Sequence, residues 1–421
     1  MKIDLTDLSP VKKRMAIEVA PEDVQRETDD VLRGYASKAQ IPGFRRGKAP
    51  ISVIRSHFAR ELEGDVRDRV VTASFRKAAQ QKGLTPLGEP TLEDLSHEQG
   101  RPLTFKTTFE VLPSIAVKSY ERIEVSQPVH AVSAEDVEQE LEGIRRSRTQ
   151  FVAEEGRPAS NGDMIYVDVL GQPAGGERFE RERLPIEIGS ASNIKEFNEN
   201  LAGAAIGQLL EFAVDYPQDY GAKNLAGTRV DYRMTVREIK RPVVPALDDE
   251  FAKDLGEFEN LEALRAKIRE DLTTRNRHQA ELAARQAVLN KVLIENPVVL
   301  PDVLVEHEIR RRLEDLVRGL IMRGVEPEKA RIDWEDLRRR QEEPARKAVH
   351  ARLILDAIAR AQGLRVEQAE LERRFREAGW RLGPSASSEE KRAAREALCL
   401  QLLREKSLDY LTTVANIHYA D

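Results

Sequence analysis

The sequence predicts a multidomain α+β protein. An N-terminal α+β domain comes first, then an antiparallel β domain with one short helix, then an elongated all-helical C-terminal body. Three observations predict it. Residues 1–112 mix strand and helix periods, residues 151–241 keep a period of two around one short helical stretch, and the pattern from Pro242 onwards is helical to the end. Charged residues make up 33% and aromatics only 5%, which suits long, surface-rich helices better than a compact enzyme with a deep pocket. At 421 residues the chain has room for two to four domains with real cores.

The elements follow in order. Met15, Ile17 and Val19 alternate, as do Leu103, Phe105, Thr107, Phe109 and Val111, so both runs read as strands. Between them lie two helices, over 21–39 and 51–82, the second closed by Gly83. A connecting segment covers 113–150. Ser133 is a good N-cap with Asp136 at the capping-box position, Val132 and Val137 stand at staple positions, and Val137, Leu141 and Ile144 mark one face. That helix has too little apolar surface to fold alone, so it is an arm or linker.

In 151–241, four alternating runs contain Ile165-Val167-Val169, Leu184-Ile186-Ile188, Leu210-Phe212-Val214-Tyr216 and Val230-Tyr232-Met234-Val236. One short helix, 193–202, carries Ile194, Phe197 and Leu201 on one face and Gly203 at the position after its cap. In 242–421 helices are expected at 264–272, 275–294 and 301–323, with a later stripe from Val349 to Ala361 closed by Gly363. A break at Gly383-Pro384-Ser385 precedes a last pair of helices beginning near Ser388. No strict heptad persists, which argues against a long coiled coil.

Composition excludes several functions. A net charge of −6 argues against a general nucleic-acid binder. The start has no apolar signal core, and no run approaches the ~18 to 20 apolar residues of a membrane span. Cys399 is the one cysteine, so no intramolecular disulfide forms, and a cytoplasmic location is expected. It lies among Leu398, Leu400, Leu402 and Leu403, as a packed thiol would. The seven histidines are scattered, and His307-Glu308-Ile309-Arg310-Arg311 lacks the second histidine of a zinc helix. There is no phosphate-cradling glycine loop, nucleophile elbow or catalytic Cys–His pairing. Any catalysis must proceed without nucleophile, metal or nucleotide, and no cofactor is expected.

One segment stands apart. Between Val31 and Arg60 fall seven basic residues (Arg33, Lys38, Arg45, Arg46, Lys48, Arg55 and Arg60) and no acidic one. At their centre, Ile41-Pro42-Gly43-Phe44-Arg45-Arg46-Gly47-Lys48-Ala49-Pro50 cannot continue as helix, so it reads as an exposed tip between two helices. A phenylalanine among cations on such a tip is a docking element: the ring supplies buried area and the cations attract a polyanion.

This tip resembles the ribosome-docking loop of the trigger factor family of bacterial ribosome-associated chaperones, and the resemblance covers the whole chain. It implies that Phe44, Arg45 and Arg46, framed by Gly43, Gly47 and Lys48, contact a protein beside the tunnel exit of the large ribosomal subunit, with rRNA nearby. It implies a domain order of ribosome-binding domain (1–112), linker arm packing with the C-terminal body (113–150), isomerase domain (151–241) and substrate-binding helices (242–421). Nascent and unfolded polypeptides would be the partners, held without ATP and with no membrane involved. A homodimer off the ribosome stays open. The middle domain is similar to FKBP-type peptidyl-prolyl isomerases, notably at Tyr216-Pro217-Gln218-Asp219-Tyr220-Gly221-Ala222-Lys223-Asn224-Leu225-Ala226-Gly227. The resemblance implies an FKBP-like site of Phe179, Ile194, Phe197, Tyr220 and Tyr232, with Glu180 as its acid. Such a site works by polarity alone, because an apolar pocket favours the twisted X–Pro amide over the planar, solvated one.

The pattern is not followed everywhere. Ile194-Lys195-Glu196-Phe197 stands where family members commonly have Ile-Pro-Gly-Phe, and Val169 and Leu184 stand where aromatics are usual. Weak isomerase activity is the expectation. Two other readings stay open at this point. One is a free cytosolic isomerase with a helical dimerisation scaffold. The other is an RNA-binding or ribosome-assembly factor, which would need basic stripes with stacking aromatics in more than one domain.

Overall fold

The computed structural model describes residues 1–38, 44, 50–96, 101–218, 220, 225–256, 258–328, 332–377 and 386–420. They form two compact units, one of Met1–Gln127 with Glu281–Ala420 and one of Pro128–Ala280.

The first unit opens with strands β1 (Lys2–Asp7) and β2 (Lys12–Val19), then helices α1 (Pro21–Lys38), α2 (Ile51–His57) and α3 (Ala59–Gln81), then strands β3 (Pro86–Ser96) and β4 (Leu103–Val111). The strands make an antiparallel sheet in the order β1-β2-β4-β3. Met15, Ile17 and Val19 alternate onto the face that Val31, Leu32, Val66, Val70 and Phe75 cover, and Phe75 meets Phe109 edge-on at 5.1 Å. The single helix expected over 51–82 is two. At Phe58 the backbone leaves helical geometry (φ −113°, ψ 29°), and the ring packs against Tyr35 at 5.5 Å. Strand β5 (Glu124–Pro128), which hydrophobic period did not reveal, follows.

In the second unit, helix α4 (Ala134–Ser147) begins with the expected capping box, Ser133 and Asp136 each accepting from the other's backbone N–H. Next come strands β6 (Gln150–Ala153), β7 (Met164–Pro173) and β8 (Phe179–Glu187), helix α5 (Lys195–Leu201), and strands β9 (Leu209–Asp215) and β10 (Arg229–Val243). The sheet runs β6-β10-β7-β8, with β9 also on β10, and every pair is antiparallel. Ile165, Val167, Val230, Met234, Val236 and Ile239 are almost wholly buried beneath α5, which contributes Leu201. Helix α6 (Asp249–Leu255) and the first half of helix α7 (Leu261–Glu295) then bury Phe251, Leu264, Ile268 and Leu272 against Val137 and Leu141 of α4.

The two helices expected at 264–272 and 275–294 are this one 35-residue helix. Nothing at Thr273-Thr274-Arg275 breaks it. The apparent gap is a change of face, because Val288, Leu289, Val292 and Leu293 join a different cluster in the first unit. That cluster also takes Ile354, Ile358 and Leu411 from two later helices, and Ile123 and Val125 from the segment around β5. The remaining elements are α8 (Asp302–Met322), α9 (Trp334–Ala361), α10 (Gln368–Glu377), α11 (Ser388–Val414) and strand β11 (Asn416–Ala420).

Two expectations fail here. The last pair of helices near Ser388 is one continuous helix, and the chain does not stay helical to its end, because β11 pairs with β5. Ile417 and Tyr419 alternate over too few residues to stand out against a long helix. The break at 383–385 lies outside the described residues. The start of α8 is held from outside its own segment. Pro301 offers no side-chain cap, and the Glu110 carboxylate of β4 instead accepts from the Val303 N–H at 2.9 Å.

Candidate functional site: an aromatic row across the β domain

Phe179 pairs with Gly171, Gly171 with Tyr232, and Tyr232 with Phe212, so one transverse row crosses β8, β7, β10 and β9. Directly paired residues point to the same face of a sheet. The row therefore presents three rings and one gap. A Cβ on Gly171 would fall 2.6 Å and 2.8 Å from Cε1 and Cε2 of Phe179, so the ring lies across the glycine and comes within 6.1 Å of Tyr232. Phe197 of α5 covers the row, edge-on to Tyr232 at 5.1 Å and to Phe212 at 5.6 Å. Asn198 fixes α5 to the loop before it, accepting from Gly189 N–H and donating to the Ser190 carbonyl.

At the end of β9, Tyr216 brings its hydroxyl 2.5 Å from that of Tyr232, and its ring touches Tyr220 edge-on at 4.6 Å. The loop carrying Tyr220 is closed at its base by Tyr216 N–H to Thr228 O and Gly227 N–H to Pro217 O. Burial pushes the Tyr216 phenol above its ordinary range, and the hydrogen bond with Tyr232 adds to it; burial raises Tyr232 as well. Both phenols are therefore neutral near pH 7.

Of the residues singled out in the sequence, Phe179, Ile194, Phe197, Tyr220 and Tyr232 all pack on this one core. Glu180 does not join them. It follows Phe179 in a strand, so its side chain leaves by the opposite face, where it is exposed and ion-paired with Arg178. Sequence reading missed the parts that Phe212, Tyr216 and Gly171 play. The first two stood in an alternating run that reads as core, and register alone shows which glycine lies beneath a ring. Asp219, Gly221, Ala222, Lys223 and Asn224 lie outside the described residues. The departures from the family pattern are local. Lys195 is exposed and pairs with Glu199, Val169 is buried beside the row, and Leu184 is 37% exposed.

At the basic tip, Phe44 is 41% exposed in a bend between α1 and α2. Gly43, Arg45, Arg46, Gly47 and Lys48 lie outside the described residues. The α8 end of the first unit exposes Ile321 and Met322, the latter at 83%, with Val325 and Trp334 following. Among the described residues no group of three or more His, Cys, Asp or Glu could hold a metal ion, and no helix is long and apolar enough to cross a membrane.

Comparisons with known proteins agree with this arrangement. Residues 1–144 match the family model described as bacterial trigger factor protein, residues 155–236 that of FKBP-type peptidyl-prolyl cis-trans isomerase, and residues 260–413 that of the bacterial trigger factor C-terminus. Trigger factor of Koribacter versatilis is 31% identical, over 96% of this chain and 94% of its own length. That of Syntrophotalea carbinolica is 31% identical over 100% and 97%, and that of Anoxybacillus flavithermus 34% over 86% and 87%. A solved structure of the trigger factor chaperone shares the fold with a TM-score of 0.55 at 19% identity, covering 98% of this chain and 99% of the other. With relatives this similar from end to end, and with the three family segments in this order, the chain belongs to the trigger factor family.

Proposed function

We propose that the chain is an ATP-independent, ribosome-associated chaperone of the cytoplasm that holds nascent or unfolded polypeptides and isomerises X–Pro bonds in its β domain. The observation that carries the isomerase is the aromatic row. Phe179, Tyr232 and Phe212 with Phe197 above them make a dry surface whose neutral phenols bring no charge to it. A prolyl ring fits against such a surface, and removing water favours the twisted, less polar amide. Phe179, Ile194, Phe197, Tyr220 and Tyr232 form the proposed site, and Glu180 is left out of it. Lys195, Glu196 and the open edge at Leu184 support weak turnover.

The tip docks at the large subunit. Phe44, Arg45 and Arg46 would contact the tunnel-exit protein, with rRNA nearby, within the frame of Gly43, Gly47 and Lys48. The helices of 242–421 with the arm at 113–150 hold clients on scattered exposed side chains such as Ile321 and Met322, each contact weak and many needed. A free isomerase with a helical dimerisation scaffold is the weaker reading, since full-length relatives share all three segments. Off the ribosome a homodimer remains a testable state, by sedimentation across a concentration series.

Two measurements test the reading. Phe44→Ala, Arg45→Ala and Arg46→Ala together should abolish co-sedimentation with ribosomes at physiological salt and leave peptide isomerisation intact. Phe197→Ala should remove isomerisation of a proline peptide and leave suppression of client aggregation unchanged. A triple variant that still sediments with ribosomes would show the docking assignment to be wrong.

A further inference from the structure

Tyr216 and Tyr232 are each more than nine-tenths buried, with hydroxyl oxygens 2.5 Å apart. Two phenols own two protons. The hydrogen bond between them uses one, and whichever oxygen accepts still has its own proton to give. Among the described residues no other hydrogen bond reaches either oxygen. The half-buried Glu196 of α5 acts on Tyr216 through its charge, without a hydrogen bond to it. A buried donor without an acceptor is costly, and such groups persist where a ligand relieves them.

We propose that this spare hydroxyl proton is donated to the peptidyl-prolyl group while its amide is twisted. The inference rests on the isomerase reading above. In the planar amide the nitrogen lone pair is delocalised into the carbonyl, so the nitrogen accepts no hydrogen bond. Once rotation breaks that conjugation, the lone pair is localised on nitrogen and becomes an acceptor. A donor held by its partner hydroxyl, in a surface dried by Phe179, Phe197 and Phe212, binds this state in preference to the planar one. Interactions gained only at the top of the barrier raise kcat and leave KM nearly unchanged. No bond to hydrogen breaks, and the proton stays on its phenol throughout.

The test uses the full chain in four forms: unaltered, Tyr216→Phe, Tyr232→Phe and the double variant. Phenylalanine keeps the rings and the core, and thermal unfolding checks this for each. On a proline tetrapeptide, the double variant should lose about tenfold in kcat with KM within about twofold. Each single variant keeps one hydroxyl without its partner to aim it and should lose about threefold. A double variant with unaltered kcat overturns the proposal, as does a loss carried by KM with kcat unchanged. If the double variant fails to fold, unaltered kcat in both single variants overturns it. Absence of isomerisation in the unaltered chain would instead remove the isomerase reading and this inference with it.

Discussion

Gly171 and Phe179 show how an absent side chain can shape a site. The ring occupies the space that any Cβ at 171 would take, so the two positions are coupled across β7 and β8. Gly171→Ala is expected to push Phe179 off the row, lowering isomerisation severalfold and costing about 1–3 kcal/mol by overpacking. A peptide assay and thermal unfolding would check both, and a variant unchanged in each would refute the coupling. A second residue-scale device is Glu308. Its carboxylate is buried in α8 and meets Arg311 at 2.6 Å, Arg312 at 3.0 Å and Arg352 at 2.8 Å. Burial opposes ionisation, but the hydrogen bonds and charges of Arg311, Arg312 and Arg352 outweigh it and hold the group down at about 2. The folded value is thus below the unfolded one of about 4.3. Its stabilisation is complete above about pH 4.5 and is lost as pH falls towards 2. Glu308→Gln should be less stable near neutrality and should flatten the acid limb of the stability curve, as denaturant titrations from pH 7 to 3 would show. Glu308→Ala removes the shared partner of three part-exposed arginines, of which Arg311 keeps Asp315, and should cost about 1–2 kcal/mol.

At the scale of elements, helix α8 depends on a strand it is not joined to. Glu110 supplies the cap that Pro301 cannot, and Gly88, at φ +68°, lets the β3 backbone come close to Val303. A Cβ on Gly88 would lie 3.1 Å from Val303 Cγ1. Glu110→Ala should cost about 1–2 kcal/mol through loss of the cap and its favourable charge at the helix start. Gly88→Ala should cost a similar amount through strain and crowding, and the two losses should not add, because both loosen one contact. Unfolding of the two single variants and the double variant would decide this. Such tertiary caps are invisible in the sequence, whereas the local cap at Ser133 and Asp136 was fully legible, because its partners sit three residues apart. The same distinction explains the strands. Those alternating over eight or more residues, such as β2 and β4, were readable, while β5, β6 and β11 are short and gain their hydrogen bonds from distant segments. At the site, aromatic identity could be read through the family resemblance. Glu180 was carried into the site by the resemblance alone, whereas strand alternation after Phe179 sends it to the opposite face.

For the whole molecule, the β domain enters and leaves by neighbouring strands. Gln150 of β6 is paired with Val243 of β10, so the two connections lie side by side. Paired Cα atoms stand roughly 5 Å apart, a gap that a short turn closes. Removing residues 151–241 behind such a turn should therefore leave holding activity largely intact, as measured by delayed aggregation of an unfolding client at equimolar ratio. Truncation near residue 383 should weaken it severely. An isolated helical part that fails to delay aggregation would show that those helices are only a spacer.

The pairing of β11 with β5 has a consequence for how the chain comes into being. The second unit is one unbroken stretch, complete once Ala280 has been synthesised. The first unit is assembled from both ends of the polypeptide. Its N-terminal sheet can gather early around Met15, Ile17 and Phe105, but Ile123 and Val125 wait for Ile354, Ile358 and Leu411, and β5 waits for the last strand. Contacts so far apart in sequence close slowly and last, and until they do their apolar partners stay uncovered. A protein proposed to guard unfinished chains at the ribosome thus leaves its own larger unit open until residues 416–420 emerge.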